Sequence, residues 1–502
     1  MSDTPQSANR LRLVVADPHE LLAPQLAVVE ASPPGERRLR VPLARIDGAL
    51  EALVRHGGRL SALFLVSAPE PSLLAAVAFQ GDLLALRAPL EGAREYPSLS
   101  RVTPAALLPE RELHDLHGLV PVGQPDLLPA VPPDPDTFPR RVVGDQTFVI
   151  PYGPIRSGVF ESIQYVIETA GEDVLALQVR PFFKYRALER RFAGVDLDHA
   201  VQIAERVAAI AGVAHATAFC QAVERALGVE PTRRAQRWRV VHAELERIAN
   251  HLDVAVKLAE DAALSVGAAR FAVLKEQIQR LRAGLCGSRF GRGVLATGGL
   301  AAGPLLEPKT VLATLDGFER QLKRDRRLLL RTASFTDRLI GSGTLDRDAI
   351  DDYAGVGPVA RACGVAADAR FERPYGAYVR VGGRISTVDD GDAMGRLRVR
   401  LFEIGESLHI IRQAFERLDK YGPELRAGVP ASDGAALGWA EAPMGEVIYW
   451  VEVANDRVGT LRISSPSLRN WPLFADAFRG DVLTDFAFIE HSFGLTPAGA
   501  DR

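Results

Sequence analysis

Cysteine is nearly absent: Cys220, Cys286 and Cys363 are the only three in 502 residues. No two stand at the short spacing of a metal knuckle, so this chain has no sequence-local thiolate site for zinc or an iron–sulfur cluster. The reading for these three thiols is burial and chemical inertness. Charge of one sign is also missing. Sixty basic side chains stand against 63 acidic ones, a net charge of −3, which excludes a general nucleic-acid binder. No uninterrupted apolar run reaches the about 18 residues of a membrane span. The first residues, Met1-Ser2-Asp3-Thr4-Pro5-Gln6, lack the pattern of a secretion signal, so a cytoplasmic protein is expected. No Gly-rich strand-to-helix fingerprint occurs, and Gly291-Arg292-Gly293 and Gly298-Gly299 are too weak to imply direct NAD binding.

What is present is an ordinary globular composition, 47% hydrophobic and 25% charged, long enough for about two to four domains. Leu11–Ala16 and Ala62–Val66 are strand-like runs, and Val77–Phe79 and Leu83–Leu86 flank a Gln80-Gly81-Asp82 turn, so residues 1–128 are expected to form a small α/β domain. The stretch 129–141 carries five prolines and is expected to be an extended linker. Residues 142–502 form the second unit. About 145–180 reads as strands, with Phe160, Ser162, Gln164 and Val166 alternating against Ile163, Tyr165 and Ile167. Pro231 suits a first helical turn, after which Trp238, Val241, Leu245, Ile248, Leu252 and Ala259 share a face. Phe271 to Leu285 makes a second stripe, ended by Gly287. Leu397, Leu401, Ile404, Leu408, Ile411, Phe415 and Leu418 alternate steps of four and three, the seam of a central helix whose role is packing. Val447–Val451 and Leu461–Ile463 flank Asn455-Asp456 as a hairpin. The fold class is α+β: a small α/β domain, then a mainly helical bundle with flanking β-structure.

Several segments carry a family resemblance. Glu110-Arg111-Glu112 with Asp115 and Gly118, then Gln124-Pro125-Asp126-Leu127, resembles the E-R-E-x-x-D-x-x-G-I … H-P-D-L signature of the small peripheral-arm subunit of respiratory complex I. Gly355 to Gly364, then Arg373-Pro374-Tyr375-Gly376-Ala377-Tyr378, resembles the G-x-x-G-P-x-x-R-A-S-G … P-Y-x-x-Y stretch of its quinone-site large subunit and of group-four nickel–iron hydrogenases of the formate-hydrogenlyase type. Glu244 to Leu252 is similar to the family's E-L-x-R-I-x-x-H-L helix. The resemblance covers nearly the whole chain, with the two subunits fused in order.

The departures are concentrated at the chemistry. The family's first ligand pair, in E-R-V-C-G-I-C-G-x-x-H, falls on Glu205 to His215 with Ala208 and Ala211 in place of cysteine. The second, in the terminal S-x-D-P-C-x-x-C-T-D-R, falls on Ser492 to Arg502 with Thr496 and Gly499. The E-A-P-R-G-E motif has Met444 for its Arg. Soft thiolates are what hold redox-active nickel, so no nickel–iron centre, and no metal on this chain, is expected. The complex I quinone Tyr matches Ala209, and the G-P-x-H-P hairpin reads Gly153-Pro154-Ile155-Arg156-Ser157-Gly158, without its His.

The resemblance and the surviving residues imply candidate roles. Tyr185, Arg186, Glu189 and His215 are the catalytic candidates, for a quinone or another acceptor and its protons. Arg156, Arg206, Arg247 and His251 are the candidates facing an acceptor cavity or a partner's cluster, where a cation raises a reduction potential. For each, the competing reading is a buried ion network, such as Arg247 with Glu244. His114, His117, His199, His242, His409 and His491 are scattered and make poor metal ligands. The resemblance implies an oxidoreductase-complex subunit, electron transfer without a bound cofactor of its own, and a quinone as one acceptor. It implies an iron–sulfur small subunit and antiporter-like and anchor membrane subunits as partners, with the chain cytoplasmic and peripheral on the inner face of the cell membrane. The alternative is a non-catalytic subunit bridging those partners.

Overall fold

The computed structural model describes residues 17–130, 142, 146–156, 161–416 and 418–502. The expected strand at Leu11–Ala16, residue Phe160 and most of the proline-rich stretch lie outside these. The N-terminal unit is a five-stranded sheet. Its strands are β1 (Val28–Glu30), β2 (Arg37–Arg40), β3 (Arg59–Val66), β4 (Ser72–Phe79) and β5 (Asp82–Pro89), in the order β1-β2-β5-β4-β3. Within this sheet β2 and β5 pair in parallel and the other neighbours antiparallel. One face buries Leu63, Leu73, Ala75, Val77, Leu84 and Leu86 against Ile46, Ala49, Leu50 and Leu53 of the Ile46–Arg55 helix. The other face, with Phe64, Leu74, Ala76, Leu83 and Ala85, belongs to the main apolar core shared with the rest of the chain. Burial on both faces explains why β4 and β5 read as unbroken apolar runs.

Both expected hairpins form. Phe79 pairs with Asp82 across Gln80 (φ 50°) and Gly81 (φ 85°), and Ala454 pairs with Arg457 across Asn455 (φ 52°) and Asp456 (φ 59°). Two successive positive φ values give the turn whose twist matches the strands it joins.

In the second unit the 29-residue helix Arg233–Asp261 is buried on nearly every side. It packs against the helices Ser265–Cys286, Ala393–Phe415 and Phe486–Phe493. Leu397, Leu401, Ile404, Leu408, Ile411 and Phe415 are all buried as the seam requires, but Leu418 has passed into a 3-10 turn. The position of Pro231 differs from expectation. Thr232 is the N-cap, its hydroxyl accepting from the Ala235 amide at 3.2 Å, so Pro231 precedes the helix. The strand Gln164–Thr169 starts later than the alternation suggested. It shows no exposed face, because Gln164 and Glu168 are buried in bonds to Arg180, Gln178 and the Val142 amide.

The strands Gly434–Ala442, Gly445–Ala454 and Arg457–Ser464 form an antiparallel sheet that lies against the helix Gly212–Ala226. Gly438 permits that approach: a Cβ there would stand 2.2 Å from the Ala218 carbonyl oxygen. The same sheet meets β3 of the N-terminal unit, where Arg462 Nε donates to the Leu65 carbonyl (2.9 Å) and the Ser464 hydroxyl to that of Ser61 (3.0 Å). Among the described residues no single helix is long and apolar enough to cross a membrane. The pair Leu197–Ala204 and 209–226, apolar enough together, turns through 109° between its members.

Candidate functional site

The run 205–224 is not one helix. Glu205 to Ala208 leaves the Leu197–Ala204 helix, Ala209–Ala211 forms a 3-10 turn, and a helix begins only at Gly212. That new N-terminus is capped from a distance: Glu246, on the long helix, accepts from the amides of Val213 (2.8 Å) and Ala214 (3.1 Å). A carboxylate suits a helix N-terminus, yet burial lifts Glu246 to about 7. Ala208 and Ala209 thus sit on the non-helical approach to this helix.

Arg186 joins that approach to the C-terminal segment. Its Nη2 donates to the carbonyls of Val207 (2.6 Å) and Ala498 (2.9 Å), and its Nη1 to Arg206 (3.2 Å). The two carbonyls, each one residue before a position aligned with a ligand cysteine (Ala208 and Gly499), therefore lie no further apart than two hydrogen-bond lengths. The frame expected from the resemblance is closed. Its former ligand positions are packed: Ala208, Met444 and Thr496 are 1%, 2% and 6% exposed, and Ala211 and Met444 belong to the main apolar core. Gly357 (φ 70°) fits against the Met444 carbonyl only because it lacks a Cβ. Methyl groups, a thioether, a hydroxyl and a glycine do not fit a four-thiolate nickel–iron centre.

The segment ends in a second set of contacts. Asp501 accepts from the amides of Phe182 (2.7 Å) and Lys184 (2.8 Å), and burial raises it to about 6. Arg502 donates through Nη2 to both oxygens of Glu112 (2.8 and 2.6 Å) and through Nε to Glu189 (3.0 Å). Glu189 also accepts from the Ile463 amide (2.8 Å) and pairs with Arg462 at 3.5 Å. Glu112 belongs to the Glu110-Arg111-Glu112 motif, so this motif ties the two units together. Its neighbours act within the first unit: Glu110 accepts from Ser98 and Leu99, and Arg111 pairs with Asp126 at 2.6 Å.

The remaining candidates disperse. Tyr185, beside Arg186, is 38% exposed, and among the described residues its hydroxyl makes no hydrogen bond. His215 is buried against the Tyr449 hydroxyl (2.9 Å); desolvation, then Arg186 and Arg502, lower it to about 3, so it is neutral. Arg206 is exposed and reaches back to the Gln202 carbonyl. Arg156 is bound bidentately by Glu490 (2.9 and 2.8 Å), which also accepts from Tyr165, and its guanidinium lies over the rings of Tyr152 and Tyr165. Both of its terminal nitrogens are committed to this contact.

Arg247 and His251 enter a buried charge network. Arg247 donates to the carbonyls of Glu441 (2.6 Å) and Ala442 (3.2 Å) and pairs with Glu244 at 3.3 Å, as expected. His251 Nε2 is 2.7 Å from Glu403, which also pairs with Arg361 at 2.7 Å. Desolvation outweighs Glu403 and lowers His251 to about 4. Arg370 bridges Glu244 and Asp368, and Tyr378 and Ser407 donate to Glu244. Arg400 donates to the carbonyls of Ser492 (3.2 Å) and Phe493 (2.6 Å). The sequence reading missed Glu403 and Arg400. The signal was there: Arg396, Arg400, Glu403 and Ser407 recur in steps of four, three and four, a polar stripe beside the apolar seam of the same helix.

Cys220 and Cys363 are buried and Cys286 half-buried, all three unpaired. Among the described residues no three His, Cys, Asp or Glu side chains gather as a metal site.

A two-unit chain, a frame closed around packed ligand positions and an ionic core agree with the resemblance to complex-I-like and group-four-hydrogenase-like large subunits, and sequence comparison finds the same likeness. Residues 50–142 match the family described as Respiratory-chain NADH dehydrogenase, 30 Kd subunit, and residues 266–427 the 49 Kd subunit family; the chain is a fusion of the two. It is 28% identical over 439 residues to formate hydrogenlyase subunit 5 of Escherichia coli (strain K12), covering 81% of this chain and 77% of that one. It is 28% identical over 462 residues to an NADH-quinone oxidoreductase subunit of Aquifex aeolicus (strain VF5), covering 82% and 78%. The fold is shared with a chain in the structure of the membrane-bound sulfane sulfur reductase, an archaeal respiratory membrane complex (TM-score 0.66, 23% identity, 72% of this chain and all of that one).

Proposed function

We propose that this chain is the large subunit of a membrane-associated oxidoreductase complex of the complex-I-like or formate-hydrogenlyase-like kind, and that it works as a coupling subunit without a nickel–iron centre. In this reading the second unit (142–502) bridges an iron–sulfur small subunit and membrane ion-translocating subunits at the inner face of the cell membrane. The first unit (1–128), joined through the linker 129–141, clamps it through Glu112 and Arg502. The observation that carries the reading is Arg186 closing the frame while Ala208, Ala211, Met444, Thr496 and Gly499 pack where a bimetallic site would be. Redox chemistry then belongs to a partner's cluster, and Arg247 and His251 act as fixed charges in the frame that supports it.

A second reading, electron transfer to a quinone or other acceptor, is favoured by one observation: the unbonded, partly exposed Tyr185 phenol next to Arg186 and the exposed Arg206. The test for both is affinity purification of the tagged chain from native membranes. Coupling predicts co-purifying iron–sulfur and membrane subunits and no stoichiometric nickel. Recovery of the chain alone would sink both readings. Quinone-linked turnover lost in Tyr185→Phe and Arg186→Ala would select the second.

A further inference from the structure

A cavity of about 440 Å³ lies beside the C-terminal half of the helix Gly212–Ala226, where the two units meet. Val229, Val240, Ala243, Tyr375 and Tyr378 line it from the second unit, and Pro34 and Gly35 close it from the first. This volume and apolar lining are those of a small-molecule site. Several of its polar groups are already bonded. Glu224 binds Arg239 at 3.0 and 2.6 Å and accepts from the Gly298 amide (2.8 Å); the Tyr378 hydroxyl is given to Glu244; Gln221 accepts from the Trp439 amide (2.6 Å). Glu230 stands at the exposed rim.

Arg225 differs. It carries five N–H donors, and among the described residues it makes one hydrogen bond, from Nη1 to the Leu437 carbonyl at 3.3 Å, and no ion pair within 4 Å. The nearby Glu36 is already committed to Arg38 (2.6 Å) and the Leu437 amide (2.9 Å). The guanidinium is held over the Trp439 ring, 3.7 Å from its centre, a cation–π contact that fixes its position. Burial lowers its affinity for the proton to about 10, which leaves it charged at neutral pH.

We propose that this cavity binds a small anionic amphiphile, an aryl or alkyl carboxylate or sulfonate, with its head on Arg225 and its apolar body between Val240, Ala243 and Tyr375. The site is independent of the redox frame, so it stands or falls apart from the proposed function. The probe is 1-anilinonaphthalene-8-sulfonate, with the uncharged N-phenyl-1-naphthylamine as its neutral counterpart, titrated by fluorescence into the full chain. The wild type is expected to bind the sulfonate saturably at one site and more tightly than the neutral compound. Arg225→Gln should weaken the sulfonate about tenfold or more, the effect of losing a hydrogen bond to a charged group, and leave the neutral compound unchanged. Arg225→Lys should retain most sulfonate binding, and Ala243→Phe should abolish both by filling the space. Circular dichroism confirms that each variant is folded. Sulfonate binding that is absent in the wild type, unchanged in Arg225→Gln, or unchanged in Ala243→Phe would overturn the assignment.

Discussion

Replacing Arg502 by Ala removes the cation between Glu112 of the first unit and Glu189 of the second. Glu189 keeps the Ile463 amide and Arg462 at 3.5 Å. Among the described residues both hydrogen bonds to the Glu112 carboxylate come from Arg502, so it keeps only the more distant charge of Arg462, and its side chain is only 12% exposed. A buried pair broken on one side costs about 3–5 kcal/mol, because the surviving charge is left uncompensated. Burial already raises Glu112 above the ordinary carboxyl range against the pull of Arg502; in the variant that pull is gone, and Glu112 escapes the cost by taking up a proton more readily still. A group raised in this way contributes stability below its unfolded value and loses it as pH rises. The deficit of Arg502→Ala is therefore smallest near pH 5 and grows towards pH 8, by at most about 1.4 kcal/mol per pH unit for one proton. Adding Glu112→Gln should flatten that dependence and recover part of the loss. The assay is urea unfolding followed by tryptophan fluorescence at pH 5, 6, 7 and 8. Limited proteolysis adds a second readout, expected to cut the variant sooner than the wild type. A deficit below about 1 kcal/mol at pH 8, or one that does not change with pH, would refute the account of Arg502 as the buried joint.

Three further outcomes are expected. Glu246→Ala should destabilise by about 3 kcal/mol, since it uncaps Val213 and Ala214 and leaves Arg282 alone in the core. Because burial raises Glu246 to about 7, its contribution is present at acid pH and lost as pH rises from the ordinary carboxyl range through 7; Glu246→Gln should show a flatter pH–stability curve over that window, and an unchanged curve would count against the assignment. Burial raises all three thiols, so iodoacetamide at pH 7.5 should label the native chain slowly and at Cys286 alone, with Cys220 and Cys363 reacting only after denaturation, as read by peptide mass mapping. The fourfold variant Ala208→Cys, Ala211→Cys, Thr496→Cys and Gly499→Cys should bind one Co(II) with the absorption of a tetrahedral thiolate site. A Cβ at Gly499 meets Ser467 Oγ at 3.3 Å, and its other near neighbour, Thr496 Cγ2, is removed by the variant itself. Failure of that variant to bind Co(II) while remaining folded would mean the two segments do not face one another.

Local chemistry carried most of the fold. Gln80-Gly81 and Asn455-Asp456 have the residue types that tolerate positive φ, so their hairpins could be read directly. The seam from Leu397 to Phe415 shows its helix through spacing alone. Most of what failed depended on a distant partner. Pro231 was misplaced for a different reason: the local signal, Thr232 as N-cap three residues before Ala235, stood beside it. The strand Gln164–Thr169 looked one-sided because the partners of Gln164 and Glu168 come from other segments. The candidate site divides in the same way. The loss of ligands at Ala208, Ala211, Thr496 and Gly499 was legible by alignment to motifs, but the bridge made by Arg186, the cap made by Glu246 and the joint made by Arg502 each span many residues. Arg156, read as an acceptor's donor, proved to be bound by Glu490, 334 residues away.

Those long-range bonds explain which pieces of the family's motifs remain. In Glu441-Ala442-Pro443-Met444-Gly445-Glu446 both acids are kept and the Arg is not. Glu441 accepts from Arg361 (2.9 Å) and the Ala369 amide (3.1 Å), and Glu446 binds Arg373 and, at 3.1 Å, Arg469. All of these cations are buried, so replacing Glu446 would strand Arg373 and Arg469 in the core at a cost of about 3–5 kcal/mol, whereas Arg361 would keep Asp368 and Glu403 if Glu441 were replaced. Replacing an Arg that points at a bimetallic site, once the thiolates are gone, strands nothing: Met444 fills the space and joins the apolar cluster. The same distinction separates Glu244, Arg247 and His251, which hold helices together, from Ala211, which belongs to the apolar core, and Ala208, which is buried and carries no charge. A chain that loses a metal centre can therefore lose every side chain aimed at the metal while each charge that ties helix to helix stays fixed by the penalty of leaving its partner alone.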